Sequence, residues 1–166
     1  MSYFDLNNEE RRSFLGAAPK FVSIDGPIHL VRFMDTERVN ENRRQAMSGR
    51  YWMYGSEVEE VLETGGIPLV RAISERWAIC DDWGDCARVA VLQVGDGRHV
   101  DAWFGFAKFQ PRISVKAQRA TGRTTQESYG GGSLQLLLNI TEQELRWMSG
   151  PFLANQLHVK YLHFRP

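Results

Sequence analysis

Residues 128–139 read SYGGGSLQLLLN, a stretch in which three glycines lead directly into an apolar run. Glycine loses more conformational freedom on folding than other residues, and it is useful where the backbone needs positive φ or passes close to another group. The run that follows has the length and composition of a buried strand. We therefore expect a loop followed by a strand at a binding site, with Tyr129, Gly130 and Gly131 on the loop and Gln135 on the strand.

The size and charge of the chain limit the classes of protein to which it can belong. Its 166 residues, 19.0 kDa, predict one domain spanning 1–166 that buries about two thirds of its unfolded surface. A hydrophobic fraction of 43% and a charged fraction of 24% are typical of a soluble globular protein. Basic and acidic residues both number 20, so a dedicated nucleic-acid binder, which usually carries a basic excess, is not expected.

No apolar run approaches a membrane span, and the first residues lack the basic-then-apolar layout of a signal peptide. The two cysteines, Cys80 and Cys86, have neither C-x-x-C spacing nor a neighbouring histidine. A structural zinc site needs about four ligands at recognisable spacing, so no metal is predicted. A Cys80–Cys86 disulfide and two reduced thiols both remain open.

Local patterns in the first half of the chain predict an N-terminal helical extension over residues 1–26, with a helix that starts near Asn7. A β-type run follows Gly26-Pro27, and the capping-box spacing S-x-x-E places another helix start at Ser56. The predicted elements are a strand over 28–34 and helices over 56–65 and 72–79. The charged stretch 36–50 fits an exposed helix or a mobile loop, and a helix is favoured.

The second half predicts a hairpin, because Gly95-Asp96-Gly97-Arg98 separates the β-type runs 88–94 and 99–106. The polar stretch 114–128 is expected to be the least ordered loop. A second capping box at Thr141 predicts a helix through Met148. With strands over 134–140 and 157–164, the expected fold is α+β: a bent mixed or antiparallel sheet of six or seven strands, split into two halves around a cleft, with flanking helices.

Three separated motifs resemble the ADP-ribosyltransferase-like toxins, a family that cleaves the nicotinamide–ribose bond of NAD. LVRF at 30–33 resembles the arginine-bearing first strand of that family, and GRYWM at 49–53 resembles its short aromatic strand. GFAKFQ at 105–110, followed after a loop by YGGGSLQ at 129–135, completes the resemblance. The motifs span most of the chain from about residue 28 to 140.

The resemblance implies NAD as substrate and an ADP-ribosyltransferase or NAD glycohydrolase activity. It implies a toxin or effector of bacterial competition, delivered into a target cell, with an immunity protein and a macromolecular acceptor as partners. Arg32 would contact phosphate or ribose, since a guanidinium offers a planar fork to anions. Gln135 would bind the ribose. The other residues implied to surround the nicotinamide are Tyr51, Trp52, Tyr54, Ser56, Gln110, Tyr129, Gly130 and Gly131.

The sequence departs from the family pattern at the position of the catalytic carboxylate. Transferases of this family usually carry a glutamate on the strand after the variable loop, whereas here position 137 is a leucine. An amide such as Gln135 can hydrogen-bond a ribose hydroxyl but carries no negative charge. Glu127 is the nearest upstream carboxylate and Asp101 an alternative.

Two other functions stay open. The first is a metal-independent ribonuclease toxin that would use the basic segment Lys116, Arg119 and Arg123 together with scattered histidines. The second is a non-enzymatic binding module in which the glycine loop is a recognition loop. No G-x-S-x-G nucleophile motif and no phosphate-loop motif is present in the sequence.

Overall fold

The computed structural model of the chain describes residues 3–157. Seven strands form one sheet in the order β1-β5-β8-β3-β2-β4-β9, and each neighbouring pair is antiparallel. Two further strands, β6 and β7, form a separate antiparallel ribbon. The strands are β1 (Lys20–Asp25), β2 (Ile28–Met34), β3 (Tyr51–Tyr54), β4 (Arg88–Val94), β5 (His99–Phe106), β6 (Gln110–Pro111), β7 (Ser128–Tyr129), β8 (Leu134–Leu138) and β9 (Met148–Leu153).

Short helices join and cover these strands, and the fold is α+β, as predicted. The capping box predicted at Thr141 forms with Glu144, and a second capping box, not predicted, forms between Asn7 and Glu10 at the predicted helix start. The helices are α1 (Asn8–Arg12), α2 (Thr36–Glu41), α3 (Arg43–Met47), α4 (Gly55–Thr64), α5 (Leu69–Trp77), α6 (Val115–Thr121) and α7 (Glu142–Leu145), with 3-10 turns at Leu15–Ala17, Asp81–Trp83 and Ala154–Gln156.

Both faces of the sheet are covered, because successive strand residues point to opposite sides. On one face Leu30, Trp52 and Leu136 join residues of α2 and α3 in a core. On the other face Val31 and Val91 pack against the apolar sides of α4 and α5. A third cluster lies beside β5 and β8, where Leu6 and Phe14 of the N-terminal segment pack against Trp103 of β5 and Leu137 of β8.

The predicted β4–β5 hairpin is wrong. β4 pairs with β2 and β9, whereas β5 pairs with β1 and β8. The turn at 95–98 therefore carries the chain between two parts of the sheet, and it packs on the β1–β2 turn: Gly26 N donates to Arg98 O at 2.9 Å. A Cβ at Gly26 would stand 2.5 Å from Val94 O, so the close approach requires glycine. Turn chemistry is local, and it does not determine which strands its arms pair with.

Four other expectations need correction. The segment 1–26 includes the edge strand β1 and is not wholly helical. α4 begins at Gly55 with Tyr54 as its N-cap, so Ser56 does not cap it. The stretch 114–128 contains α6, capped by Ser114. The helix predicted through Met148 ends at Leu145, and β9 follows because that segment pairs with β4.

One further prediction is refined by the structure, and another falls largely outside the described residues. The stretch 36–50 forms two helices, α2 and α3, separated by Asn42, whose side chain caps the second. The strand predicted over 157–164 lies outside the described residues apart from Leu157.

Candidate functional site

The sheet opens between β2 and β3. These strands pair only at Leu30–Tyr54 and Val31–Met53 and then part. Arg32 lies at the point of parting, where its Nε donates to Ala46 O at 2.9 Å and its Nη1 donates to Tyr51 O at 2.9 Å. The guanidinium thus replaces the missing ladder contacts and links β2 to β3 and α3.

A cleft of about 470 Å³ lies at this opening, within the usual size of ligand pockets. Its walls come from β2, β3 and β8, from the N-terminal helix, and from the segments that follow α5 and β5. We call it the cleft. Its lining residues are Glu9, Ser13, Arg32, Phe33, Met34, Asp35, Arg38, Ala46, Tyr51, Trp52, Met53, Trp77, Ala78, Ile79, Trp83, Cys86, Lys108, Gln110 and Gln135.

Five residues that the sequence nominated meet in the cleft: Arg32, Tyr51, Trp52, Gln110 and Gln135. They come from four different strands, so the tertiary fold brings them together. Their exposure differs, because Trp52 is 1% exposed and its ring nitrogen donates to Gly49 O, whereas Tyr51 is 40% exposed. Tyr51 therefore offers a ring to a ligand, and Trp52 mainly fills the core.

The proposed acid Glu127 does not line the cleft. Its carboxylate pairs with the guanidinium of Arg112, which also forms an ion pair with Asp81 at 2.9 Å. Tyr129 is buried in the same polar cluster, where its hydroxyl donates to Asp81. Tyr54 and Ser56 also lie outside the cleft lining, as do Gly130 and Gly131.

The triple glycine forms a structural junction. Gly131 N donates to Glu75 O and Gly132 N donates to Ala107 O, both at 2.9 Å. Gly131 has φ +65°, and a Cβ there would stand 2.6 Å from Ala107 O. The glycines therefore allow the chain to pass between α5 and the end of β5 before β8 begins, and they do not enclose the cleft.

The electrostatic environment of Arg32 favours an anion in the cleft. Burial, and next the nearby positive charge of Arg38, lower the pKa of Arg32 to about 10. Its third nitrogen, Nη2, makes no hydrogen bond to any residue between 3 and 157. An anionic ligand would relieve both the desolvation and the repulsion of this cation.

Sequence reasoning missed several residues of the cleft. Lys108 and Arg38 add positive charge, and Trp83, 45% exposed, adds a second accessible ring. Glu9 and Ser13 come from the N-terminal segment, which was expected only to precede the sheet. The apolar residues Leu6 and Phe14 are the signal that this segment docks: both are buried, and Phe14 bridges to Ala107.

A hydrogen-bond chain connects the N-terminal segment to Gln135. The Ser13 hydroxyl donates to Glu10 O at 2.7 Å and accepts from Gln135 Nε2 at 2.9 Å. Tyr51 also lies beside this hydroxyl: burial raises the pKa of the Tyr51 phenol, and the contact with Ser13 partly offsets that rise. Gln135, Tyr51 and Ser13 therefore form one polar group at the cleft.

The cleft contains two carboxylates in different circumstances. Asp35 is engaged by the backbone, because it accepts from Arg38 N at 3.2 Å and from Asp85 N at 3.0 Å. The Glu9 side chain is exposed, and no residue between 3 and 157 hydrogen-bonds to it. Glu9 is therefore the carboxylate that the cleft can offer to a ligand.

A second, smaller cavity of about 320 Å³ lies apart from the cleft and is lined by Arg98, Asp101 and Trp147, with Arg98 over the Trp147 ring at 4.8 Å. The alternative acid Asp101 therefore lies away from the cleft, and none of the other residues nominated as catalytic or NAD-binding lines this cavity. Cys80 and Cys86 are both free thiols. Among residues 3–157 no group of three or more His, Cys, Asp or Glu side chains is placed to hold a metal ion. Of the helices described there, none is long and apolar enough to cross a membrane.

Comparisons with protein-family models, with characterised proteins and with solved structures return no match to this chain.

Proposed function

We propose that this protein cleaves the bond between nicotinamide and ribose in NAD and transfers the ADP-ribose to water or to a macromolecular acceptor. The observation that carries the proposal is Arg32, a partly buried cation near Arg38 whose Nη2 has no hydrogen-bond partner among residues 3–157, in a cleft that also offers accessible rings and amides. NAD combines the matching groups: a negative pyrophosphate, two flat bases and ribose hydroxyls. The opening between β2 and β3 supports an ADP-ribosyltransferase-like arrangement of the sheet.

Five residues of the cleft contact NAD in this proposal. Arg32 and Arg38 attract the pyrophosphate, because charge-assisted hydrogen bonds to anions are strong where water is excluded. Tyr51 and Trp83 present rings on which a base can stack. Gln135 accepts a hydrogen bond from a ribose hydroxyl.

The reaction needs stabilisation of positive charge on the ribose. As the bond from C1′ to the nicotinamide nitrogen breaks, its electron pair leaves with neutral nicotinamide. The oxygen of water or of an acceptor then bonds to C1′ and releases a proton. A carboxylate lowers the energy of such an oxocarbenium-like transition state. Glu9 takes this role in the proposal, in place of Glu127.

The test is nicotinamide release from NAD by the purified protein, followed by chromatography. We expect release by the wild type and its loss in Gln135→Ala with an unchanged far-ultraviolet spectrum. Free ADP-ribose would indicate hydrolysis, and ADP-ribose attached to protein or nucleic acid would indicate transfer.

Absence of nicotinamide, together with no rise in melting temperature at millimolar NAD, would overturn the proposal. Cleavage of RNA under the same conditions would instead favour the ribonuclease reading. Toxicity that survives Gln135→Ala would favour a binding module.

A further inference from the structure

The orientation of the Gln135 amide is determined by a residue more than a hundred positions away in the sequence. A serine hydroxyl has one proton to donate, and that of Ser13 goes to Glu10 O at 2.7 Å. Toward Gln135 the same oxygen can therefore only accept. The amide must turn its nitrogen to Ser13, as the 2.9 Å contact from Nε2 records.

This arrangement leaves Oε1 as the end of the amide without a partner among residues 3–157. An amide that was free to flip could turn either its nitrogen or its oxygen toward this position. Held by Ser13, Gln135 keeps its oxygen turned away from Ser13, and that oxygen is an acceptor that matches a ligand hydroxyl.

Ser13 is itself held in place. Its carbonyl accepts from Lys108 N at 2.9 Å, and Phe14 beside it is fully buried and pairs with Ala107. Glu10, whose carbonyl takes the Ser13 proton, forms an ion pair with Arg50 at 2.7 Å. Contacts to β3 and to the end of β5 thus fix the hydroxyl relative to the sheet.

We propose that Ser13 is a positioning residue that fixes the Gln135 amide with its oxygen available to a ribose hydroxyl, so that the N-terminal segment sets the preference of the site for a hydroxyl-bearing substrate. This inference rests on the proposed function. It adds a specificity element that lies outside the motifs quoted for the family resemblance.

The test compares NAD with an analogue whose nicotinamide ribose lacks the 2′-hydroxyl. The ratio of wild type to variant is taken for each substrate, so that differences in intrinsic reactivity cancel. In Ser13→Ala we expect kcat/KM for NAD to fall about tenfold, the factor expected from one misplaced hydrogen bond, with little change for the analogue. Ser13→Thr keeps the hydroxyl and should behave like the wild type.

The outcomes separate the two proposals. If the wild type cleaves NAD and Ser13→Ala affects both substrates equally, or neither, only the positioning role is overturned. If the wild type neither binds nor cleaves either substrate, the proposed function fails and the positioning role fails with it.

A measurement on the wild type keeps the test valid should Ser13→Ala unfold. The side-chain amide protons of Gln135, assigned by their absence in Gln135→Leu, should exchange slowly with solvent in a nitrogen-resolved NMR spectrum. Exchange as fast as that of an exposed glutamine would show that the bond to Ser13 is not held, and would overturn the positioning role.

Discussion

Arg32 Nη1 donates to the carbonyl oxygen of Tyr51 at 2.9 Å, across the gap where β2 and β3 part. This contact ties a cation on one strand to the backbone of the next, at a residue whose ring is 40% exposed. It also makes Arg32 structural as well as a candidate for ligand binding, and the two roles can be separated by experiment.

Replacing Arg32 by lysine should destabilise the fold. A lysine ammonium cannot reach both Ala46 O and Tyr51 O as the planar guanidinium does, so at least one of these two carbonyls loses its partner. We expect Arg32→Lys to lower the free energy of unfolding by about 2 kcal/mol in urea titrations. Arg44→Lys is the matched control, because within the described residues the Arg44 side chain forms just an exposed ion pair with Glu142, and its effect should stay within about 0.5 kcal/mol. Equal effects would contradict the structural role of Arg32.

Alanine substitutions at the adjacent Gly130 and Gly131 test which glycine of the run the fold requires. Gly131→Ala should cost about 2 kcal/mol, since its φ of +65° and the 2.6 Å approach to Ala107 O both exclude a side chain. Gly130→Ala should be close to neutral in thermal unfolding, because Gly130 has no atom within 4 Å of an added Cβ. If Gly130→Ala abolished NAD binding while the fold stayed intact, the glycines would form part of the ligand site after all.

Substitution of two glutamates tests which carboxylate acts in the reaction: Glu9, which lines the cleft, or Glu127, which the sequence motif suggested. Glu9→Gln should reduce nicotinamide release about a hundredfold, a size typical for loss of one electrostatic group at the transition state. Glu127→Gln should leave release unchanged, because Glu127 pairs with Arg112 outside the cleft lining. The opposite order of effects would restore Glu127 as the acid.

Docking of the N-terminal segment should depend on Phe14. This side chain is fully buried, and a Cβ on Gly105 would come within 2.8 Å of its ring. Phe14→Ala should lower the free energy of unfolding by about 3 kcal/mol and impair nicotinamide release, because Glu9 and Ser13 would lose their support. Leu15→Ala serves as the control, since Leu15 is 57% exposed. An undiminished rate in a folded Phe14→Ala variant would separate the segment from the site.

Stability should fall at alkaline pH. Burial raises the pKa of Cys80 from 9.0 to about 12 and that of Cys86 from 9.0 to about 11. Between pH 9 and 11 the native state therefore holds more protons than the unfolded state. The contribution of the two protonated thiols to the free energy of unfolding is fully present below pH 9 and is lost as the pH rises.

The measurement is the urea midpoint between pH 8 and pH 10.5. The double variant Cys80→Ala, Cys86→Ala should show a shallower decline, with the remainder due to tyrosines such as Tyr51, whose pKa is also raised by burial. A pH-independent midpoint in the wild type would contradict the burial of the two thiols.

The sequence alone determined the local elements of this fold. The apolar run of β2, the helix start at Asn7, the capping box at Thr141 and the apolar strand β8 were all predictable, because caps and side-chain periodicity depend on neighbours within a few residues. Five of the nominated residues, including Arg32 and Gln135, also meet in the cleft.

Only the tertiary structure decided which elements become neighbours. Turn signals at 95–98 suggested a hairpin, yet burial on both faces of the sheet places β4 beside β2 and β5 beside β1. The same long-range packing brings Glu9 and Ser13 to Gln135 and leaves Glu127 with Arg112. Local patterns are short-range, whereas a site is built from contacts between distant segments, and those contacts follow from how the whole chain buries its apolar surface.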